Sequence, residues 1–160
     1  MVKLTIDQLD IFKTEWSHCE KGIGLYDDLI FKIRGWAASV SGALLTAGFT
    51  LHLKEIALVS GLVVTMFWMI DAINKDYQSV FILRSRQIQQ VLYDHIHDSV
   101  SLDALQPPMI GWQFKNKFGR GPGSQLNSII TRAAYPGVVA FYVALILACT
   151  VCYFLISKTK

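Results

Sequence analysis

Residues 35–73 have the sequence GWAASVSGALLTAGFTLHLKEIALVSGLVVTMFWMIDAI, in which two long apolar segments are separated by Lys54 and Glu55. Residues 35–51 and 56–70 contain no charged side chain. About 20 mostly apolar residues allow a helix to cross the hydrocarbon core of a bilayer. The stretch therefore predicts a hairpin of two transmembrane helices, over residues 35–53 and 56–73.

A third apolar run, GVVAFYVALILACTVCYFLI, covers residues 137–156 and is followed by Lys158 and Lys160. Strands of a soluble core are also continuous apolar runs, but they last only about 4–8 residues. The mean hydropathy of +0.38 and the 17% of charged residues also favour a membrane protein. We predict an all-α integral membrane protein with three transmembrane helices, forming a single domain over residues 1–160.

The basic residues are distributed unevenly about the three predicted spans. Of the 15 lysines and arginines, all but Lys54, Lys158 and Lys160 lie before the first span or between the second and the third. Because cytoplasmic segments near spans are enriched in Lys and Arg, we predict a protein of the inner (cytoplasmic) membrane. Its N-terminus and residues 74–132 should be cytoplasmic, and its C-terminus should lie outside.

The N-terminal segment has the pattern of an amphipathic helix. Thr5 and Gln8 match a capping box, and an apolar stripe follows at steps of three and four: Leu9, Phe12, Trp16, Cys19 and Ile23. Gly22 and Gly24 should end this helix, because glycine in a helix interior costs about 1 kcal/mol relative to alanine. A second helix should then start near residues 26–28 and enter the first span.

Residues 56–99 contain no proline, so the second predicted span should continue beyond the membrane as a half-polar helix. This extension is the natural partner for the N-terminal stripe, although Trp16 together with Lys13 and Lys21 would also suit the lipid surface. We expect the two helices to form a cytoplasmic layer.

Small residues recur every four positions along the first predicted span. They form two adjacent columns: Gly35, Ser39, Ala43 and Ala47, and Ala38, Gly42, Thr46 and Thr50. Small columns let two helices approach closely in lipid. They would pack either against the protein's own spans or against the same helix in neighbouring copies, with Ser39, Thr46 and Thr50 facing water, and we predict a homo-oligomer.

Asp71 is an acid at the edge of an apolar span, which makes it a candidate for function. It could pair with Lys75, one turn further along the helix, or with Arg34, which enters the membrane at the same level. An ion pair or a gating role would follow.

Between the second and third spans lies a loop in which aromatic and basic residues alternate: Trp112, Phe114, Lys115, Lys117 and Arg120. Such a loop would bind anionic lipid headgroups or another subunit, and a ligand is a further alternative. Single-stranded nucleic acid binds similar sequences, but the tethering of this loop between two spans favours the other partners. Ser124 should cap a short helix, and Pro136 should start or kink the last span.

Few residues suggest chemistry. Cys149 and Cys152 form a C-x-x-C inside a span, where thiols pack as small apolar groups. His95 and His97 are two positions apart and cannot chelate one metal from the same helix face. Arg84 or Arg86 with His95 resembles the Arg and His of the HEPN ribonuclease motif, at a wider separation. We predict no enzyme activity, no metal site and no cofactor.

The segment YDDLIFKIRGWAASVSGALL, with a helix before it and a close hairpin and long helix after it, resembles small membrane effectors of bacterial antiphage systems over residues 6–100. These are the SLATT-like proteins and the membrane accessory proteins of CRISPR loci. The resemblance implies oligomerisation and permeabilisation of the inner membrane. The sequence thus favours a pore-forming or membrane-perturbing effector. The alternative is a non-conducting scaffold that recruits a soluble cytoplasmic partner through Trp16, Phe81 and residues 112–120.

Overall fold

A computed structural model describes residues 6–96 and 129–158, and within these residues all regular structure is helical. Helix α1 spans Ile6–Leu51, α2 spans Lys54–Ile96 and α3 spans Pro136–Lys158. Residues 129–133 form a short helical segment before α3. The all-α class predicted from the sequence is confirmed.

Helix α1 is one uninterrupted helix of 46 residues, so the predicted break at Gly22 and Gly24 is wrong. Gly22 lies against the ring of Phe81, where a Cβ atom would be 2.7 Å from Cδ1. Because Gly22 has no side chain, the ring of Phe81 can approach the backbone of α1 this closely. Helix α1 continues through Gly22 because its packing against α2 outweighs the low helix propensity of glycine.

The turn of the hairpin falls at His52 and Leu53, two residues earlier than predicted. The amide of Leu53 donates to the carbonyl of Gly48 at 3.1 Å, and the amide of His52 donates to that of Phe49 at 3.4 Å. This is the Schellman pattern of helix termination. His52 takes the left-handed conformation that the pattern needs, with φ of 54°. Lys54 and Glu55 therefore belong to the first turn of α2.

Helix α2 runs for 43 residues without interruption, so the predicted continuation of the second apolar segment as one long helix is confirmed. Helix α3 starts at Pro136 as predicted. Proline suits a first helical position because its missing N–H would have no partner there. The amides of Val138 and Val139 donate to the carbonyl of Tyr135, which closes the first turn.

The chain divides into two compact units, whose described parts are residues 6–27 with 76–96 and residues 28–75 with 129–158. In the first, called the paired-helix unit, Phe12, Cys19 and Ile88 form a small apolar core. This confirms that the N-terminal stripe packs on the extension of α2. In the second, called the three-helix unit, the core combines residues of all three helices: Ala37, Val64, Val138, Tyr142 and Cys149.

Two helices among the described residues, α2 and α3, are long and apolar enough to cross a membrane. The sequence predicted three such segments. Residues 35–53 of α1 are not among the two, because serine, threonine and glycine interrupt their apolar residues. The capping box at Thr5, the loop at residues 112–120, the Ser124 cap and His97 lie outside the described residues.

Candidate functional site

A buried ion pair joins α1 to α2 within the three-helix unit. The guanidinium Nε of Arg34 donates to Oδ2 of Asp71 at 2.8 Å, and the Asp71 side chain is fully buried whereas that of Arg34 is 27% exposed. Of the two partners that the sequence offered for Asp71, the structure therefore places Arg34 on the carboxylate. Lys75, one turn further along α2, is half-buried.

Aromatic rings from α2 and α3 surround this ion pair. The guanidinium of Arg34 lies 5.8 Å from the centre of the Phe141 ring. Trp68, one turn before Asp71, stacks on Tyr142 with centroids 6.2 Å apart and planes 10° apart. The indole Nε1 of Trp68 donates to the carbonyl of Ala133 at 3.1 Å. The Asp71 carboxylate is shielded from water whereas Arg34 is partly exposed, so the charge pair is screened less than one on an open surface.

Two buried polar atoms next to the ion pair have no hydrogen-bond partner among the described residues: Oδ1 of Asp71 and the hydroxyl of Tyr142. Both side chains are fully buried. The Tyr142 hydroxyl lies beside the Asp71 carboxylate, but its geometry does not complete a hydrogen bond. A buried polar group without a hydrogen bond lowers the stability of the folded state by about 1–3 kcal/mol. The two atoms are therefore unfavourable unless they acquire a partner.

Sequence reasoning missed Tyr142. The available signal was a hydroxyl in an otherwise apolar run, since a tyrosine O–H buried away from water usually has a partner. The polar group beside this hydroxyl is the carboxylate of Asp71, which is too far along the chain for spacing to suggest it.

The small residues of α1 lie on the outside of the three-helix unit. Ser39, Gly42, Ala43, Thr46 and Thr50 are exposed, and Ala47 is half-buried. A Cβ atom built on Gly35 or Gly42 would meet nothing within 4 Å. The protein's own helices therefore do not cover most of this surface, called the small-residue face.

The opposite side of α1 packs inside the three-helix unit through a second polar contact. The hydroxyl of Ser60 lies 3.4 Å from both the carbonyl of Ser41 and the Sγ of Cys149. Ser41 itself donates to the carbonyl of Ala37 at 2.7 Å. Cys149 is buried in this contact and Cys152 is half-buried, and both are free thiols.

The paired-helix unit is held by charged and polar contacts. Arg84 donates through Nε and Nη2 to the two carboxylate oxygens of Glu15, both at 2.9 Å. The Trp16 indole donates to the Ser85 hydroxyl at 3.2 Å, and that hydroxyl donates to Glu20 at 2.7 Å. Arg84, one of the two arginines considered for ribonuclease chemistry, is thus committed to an ion pair.

Cys19 lies between these contacts and is fully buried. Burial first, and the Glu15 carboxylate next, raise the pKa of its thiol to about 11. A protonated, buried thiol is a poor nucleophile, so Cys19 packs as a small apolar residue. Within residues 6–96 and 129–158, no group of three His, Cys, Asp or Glu residues could hold a metal ion.

Comparison with known protein families, characterised proteins and solved structures found no match to this chain.

Proposed function

We propose that the protein is an oligomeric membrane protein of three spans that opens a pathway across, or perturbs, the inner membrane. The observation that carries the proposal is a chemical difference between the outer surfaces of the three-helix unit. One exposed face of α1 is small and hydroxyl-rich, beside exposed large side chains such as Trp36, Val40 and Phe49. The outer surfaces of α2 and α3 carry mainly large apolar side chains.

The low burial of α2 and α3 supports lipid as their surroundings. Only 28% of the most apolar 18-residue stretch of α2 and 17% of that of α3 is buried, whereas an apolar core helix of a soluble protein is mostly buried. The exposed side chains include Leu58, Leu62, Met66 and Met69 on α2 and Leu147, Val151, Phe154 and Leu155 on α3. An exposed apolar surface of this extent is typical of contact with lipid or protein.

Helix α1 joins them as the third span in this proposal, although its sequence is less apolar. The hydroxyl of Thr46 donates to the carbonyl of Gly42 at 2.9 Å, and that of Thr50 donates to Thr46 at 3.0 Å. A hydroxyl that bonds within its own helix leaves no unsatisfied donor in lipid. The polar composition of α1 is therefore compatible with membrane depth.

The small-residue face is the surface for association. Without a hydrophobic driving force in lipid, helices associate through close packing of Gly, Ala, Ser and Thr. Copies of α1 packed around an axis would place Ser39, Thr46 and Thr50 near a polar pathway. The excess of basic residues around the N-terminus and after α2 favours a cytoplasmic N-terminus.

The layout shared with membrane effectors of antiphage systems favours a pathway that opens on a signal. The paired-helix unit would then receive the signal on the cytoplasmic side. A role of Trp16 and Phe81 in recruiting a soluble partner has less support, because Trp16 donates to Ser85 and Phe81 packs against Gly22 and Tyr26.

Particle mass in detergent tests the association. The variant Gly42→Leu should reduce the particle to a smaller assembly, because its side chain has room in the single chain and none at a close helix contact. Gly61→Leu is the matched control, since a Cβ atom at Gly61 also meets nothing within 4 Å. A single chain in wild-type particles would rule out the oligomer.

A membrane-potential dye in expressing cells tests the pathway. At high expression the fraction of assemblies that open without a signal should depolarise the inner membrane. Ala43→Leu should abolish this, and Ala148→Leu, on the exposed side of α3, should not. An intact oligomer that never depolarises cells would instead indicate a non-conducting assembly.

A further inference from the structure

The three-helix unit contains a charged cluster to which each helix contributes a residue: Arg34 from α1, Asp71 from α2 and Tyr142 from α3. The carboxylate of Asp71 is at its centre. Its Oδ2 accepts from Arg34 at 2.8 Å, and its Oδ1 is buried without a partner among the described residues. The Tyr142 hydroxyl is in turn a buried donor with no acceptor within residues 6–96 and 129–158.

We propose that the Tyr142 hydroxyl donates to Oδ1 of Asp71, and that this polar clasp of Arg34, Asp71 and Tyr142 holds the three-helix unit in its closed state. A hydroxyl proton rotates freely about its C–O bond, and the two side chains are already adjacent. Donation from this hydroxyl to Oδ1 satisfies both atoms at once. The gating role rests on the proposed function, whereas the hydrogen bond does not.

The position of the clasp explains why it would control opening. If copies of α1 line a pathway, that pathway widens only when α1 moves relative to α2 and α3. Such a motion separates Arg34 from Asp71, and the fully buried Asp71 carboxylate then loses a partner that nothing replaces. When water enters, it can solvate these groups, and the open state then becomes accessible.

The stacked rings fix the geometry of the clasp. Trp68 is held by the carbonyl of Ala133 and lies flat on Tyr142, so the tyrosine ring keeps its place when its hydroxyl is removed. The variant Tyr142→Phe therefore deletes the donor and little else. Tyr153→Phe, on the same helix, is the matched control, because the ring that Lys54 contacts at 5.8 Å is retained.

A double-mutant cycle on the full chain in detergent tests the hydrogen bond. We expect Tyr142→Phe to lower the apparent Tm by about 2–4 °C, and to lower it no further when Asp71→Leu and Arg34→Met are already present. That pair of changes removes the acceptor at position 71 and leaves no buried charge unpaired. Glu55→Leu, at an exposed acid of α2, is the control for loss of an acid. Additive effects, or a Tm unchanged in Tyr142→Phe, would overturn the clasp.

The membrane-potential assay tests the gating role separately. Tyr142→Phe should raise resting depolarisation about threefold, as expected for loss of one hydrogen bond between helices in lipid, while Tyr153→Phe should match wild type. Coupling in the cycle with no increase in depolarisation would overturn the gating role and leave the hydrogen bond standing. Wild-type depolarisation without coupling would leave the proposed function standing and overturn the clasp.

Discussion

Gly22 of α1 lies directly beneath the ring of Phe81 of α2, so closely that a Cβ atom would be 2.7 Å from Cδ1 and 2.8 Å from Cε1. Phe81 also contacts Tyr26, one turn along α1, with ring centroids 5.8 Å apart. Both contacts come from α1. The paired-helix unit therefore depends on a glycine at position 22, where sequence reasoning expected the helix to end.

The contact predicts opposite effects for the same substitution at two nearby positions. Alanine in place of glycine stabilises a helix by about 1 kcal/mol, and Gly24→Ala should do so because a Cβ atom there meets nothing within 4 Å. Gly22→Ala should instead lower stability by about 1 kcal/mol, because overpacking costs about 1–3 kcal/mol. Thermal unfolding in detergent measures both, and equal stabilisation by the two variants would show that Phe81 moves aside freely.

The ion pair between Arg84 and Glu15 should be among the most sensitive contacts of the paired-helix unit. Their side chains are 5% and 11% exposed, and removal of one partner from a buried pair costs about 3–5 kcal/mol. Arg84→Ala should have this effect on thermal unfolding. Arg86→Ala, an exposed arginine on the same helix, should change stability by less than about 0.5 kcal/mol.

The double variant Glu15→Leu with Arg84→Met provides a further check. It leaves no buried charge unpaired, so it should be more stable than Arg84→Ala alone. If it is equally unstable, the charge on Glu15 is not what destabilises the single variant.

The thiol of Cys19 should react slowly and should make stability depend on pH in alkaline solution. Its pKa is raised from 9.0 to about 11 in the folded protein. The folded state therefore keeps a proton that the unfolded state loses, and this contribution to stability is complete below pH 9 and declines as the pH rises towards 11. Cys19→Ala should remove that part of the decline.

Thiol labelling offers a direct measurement at pH 8. In a variant with Cys149 and Cys152 replaced by alanine, Cys19 should react at least about a hundredfold more slowly than a cysteine introduced at the exposed Leu25. Similar rates at the two positions would contradict the burial of Cys19.

His52 should be replaceable by glycine with a gain in stability. Its φ of 54° lies in the left-handed region, which costs a residue with a Cβ atom about 1–2 kcal/mol. His52→Gly should therefore stabilise the hairpin by about 1 kcal/mol, and His52→Ala, which keeps the Cβ atom, should not. A thermal unfolding comparison of the two variants decides whether backbone strain is present at this turn.

Sequence patterns predicted the long helical stretches and one tertiary contact. The uncharged runs around residues 35–51, 56–70 and 137–156 predicted the three long helical stretches, because an apolar run of that length is compatible with few other structures. Asp71 and Arg34 could be proposed as partners because both lie at the end of an apolar run. The spacing of the small residues of α1 did not show whether they face the protein's own helices or its outer surface.

The sequence by itself determined the helical class, the positions of the apolar stretches and the charge asymmetry, because these depend on composition and on periodicity within one segment. Only the tertiary structure decided that α1 continues through Gly22, that the small-residue face points outwards and that Tyr142 meets the Asp71 carboxylate. Each of these depends on a side chain from another helix, 59 positions away for Phe81 and 71 for Tyr142 relative to Asp71. Contacts at such separations are set by how the helices pack, which local periodicity does not specify.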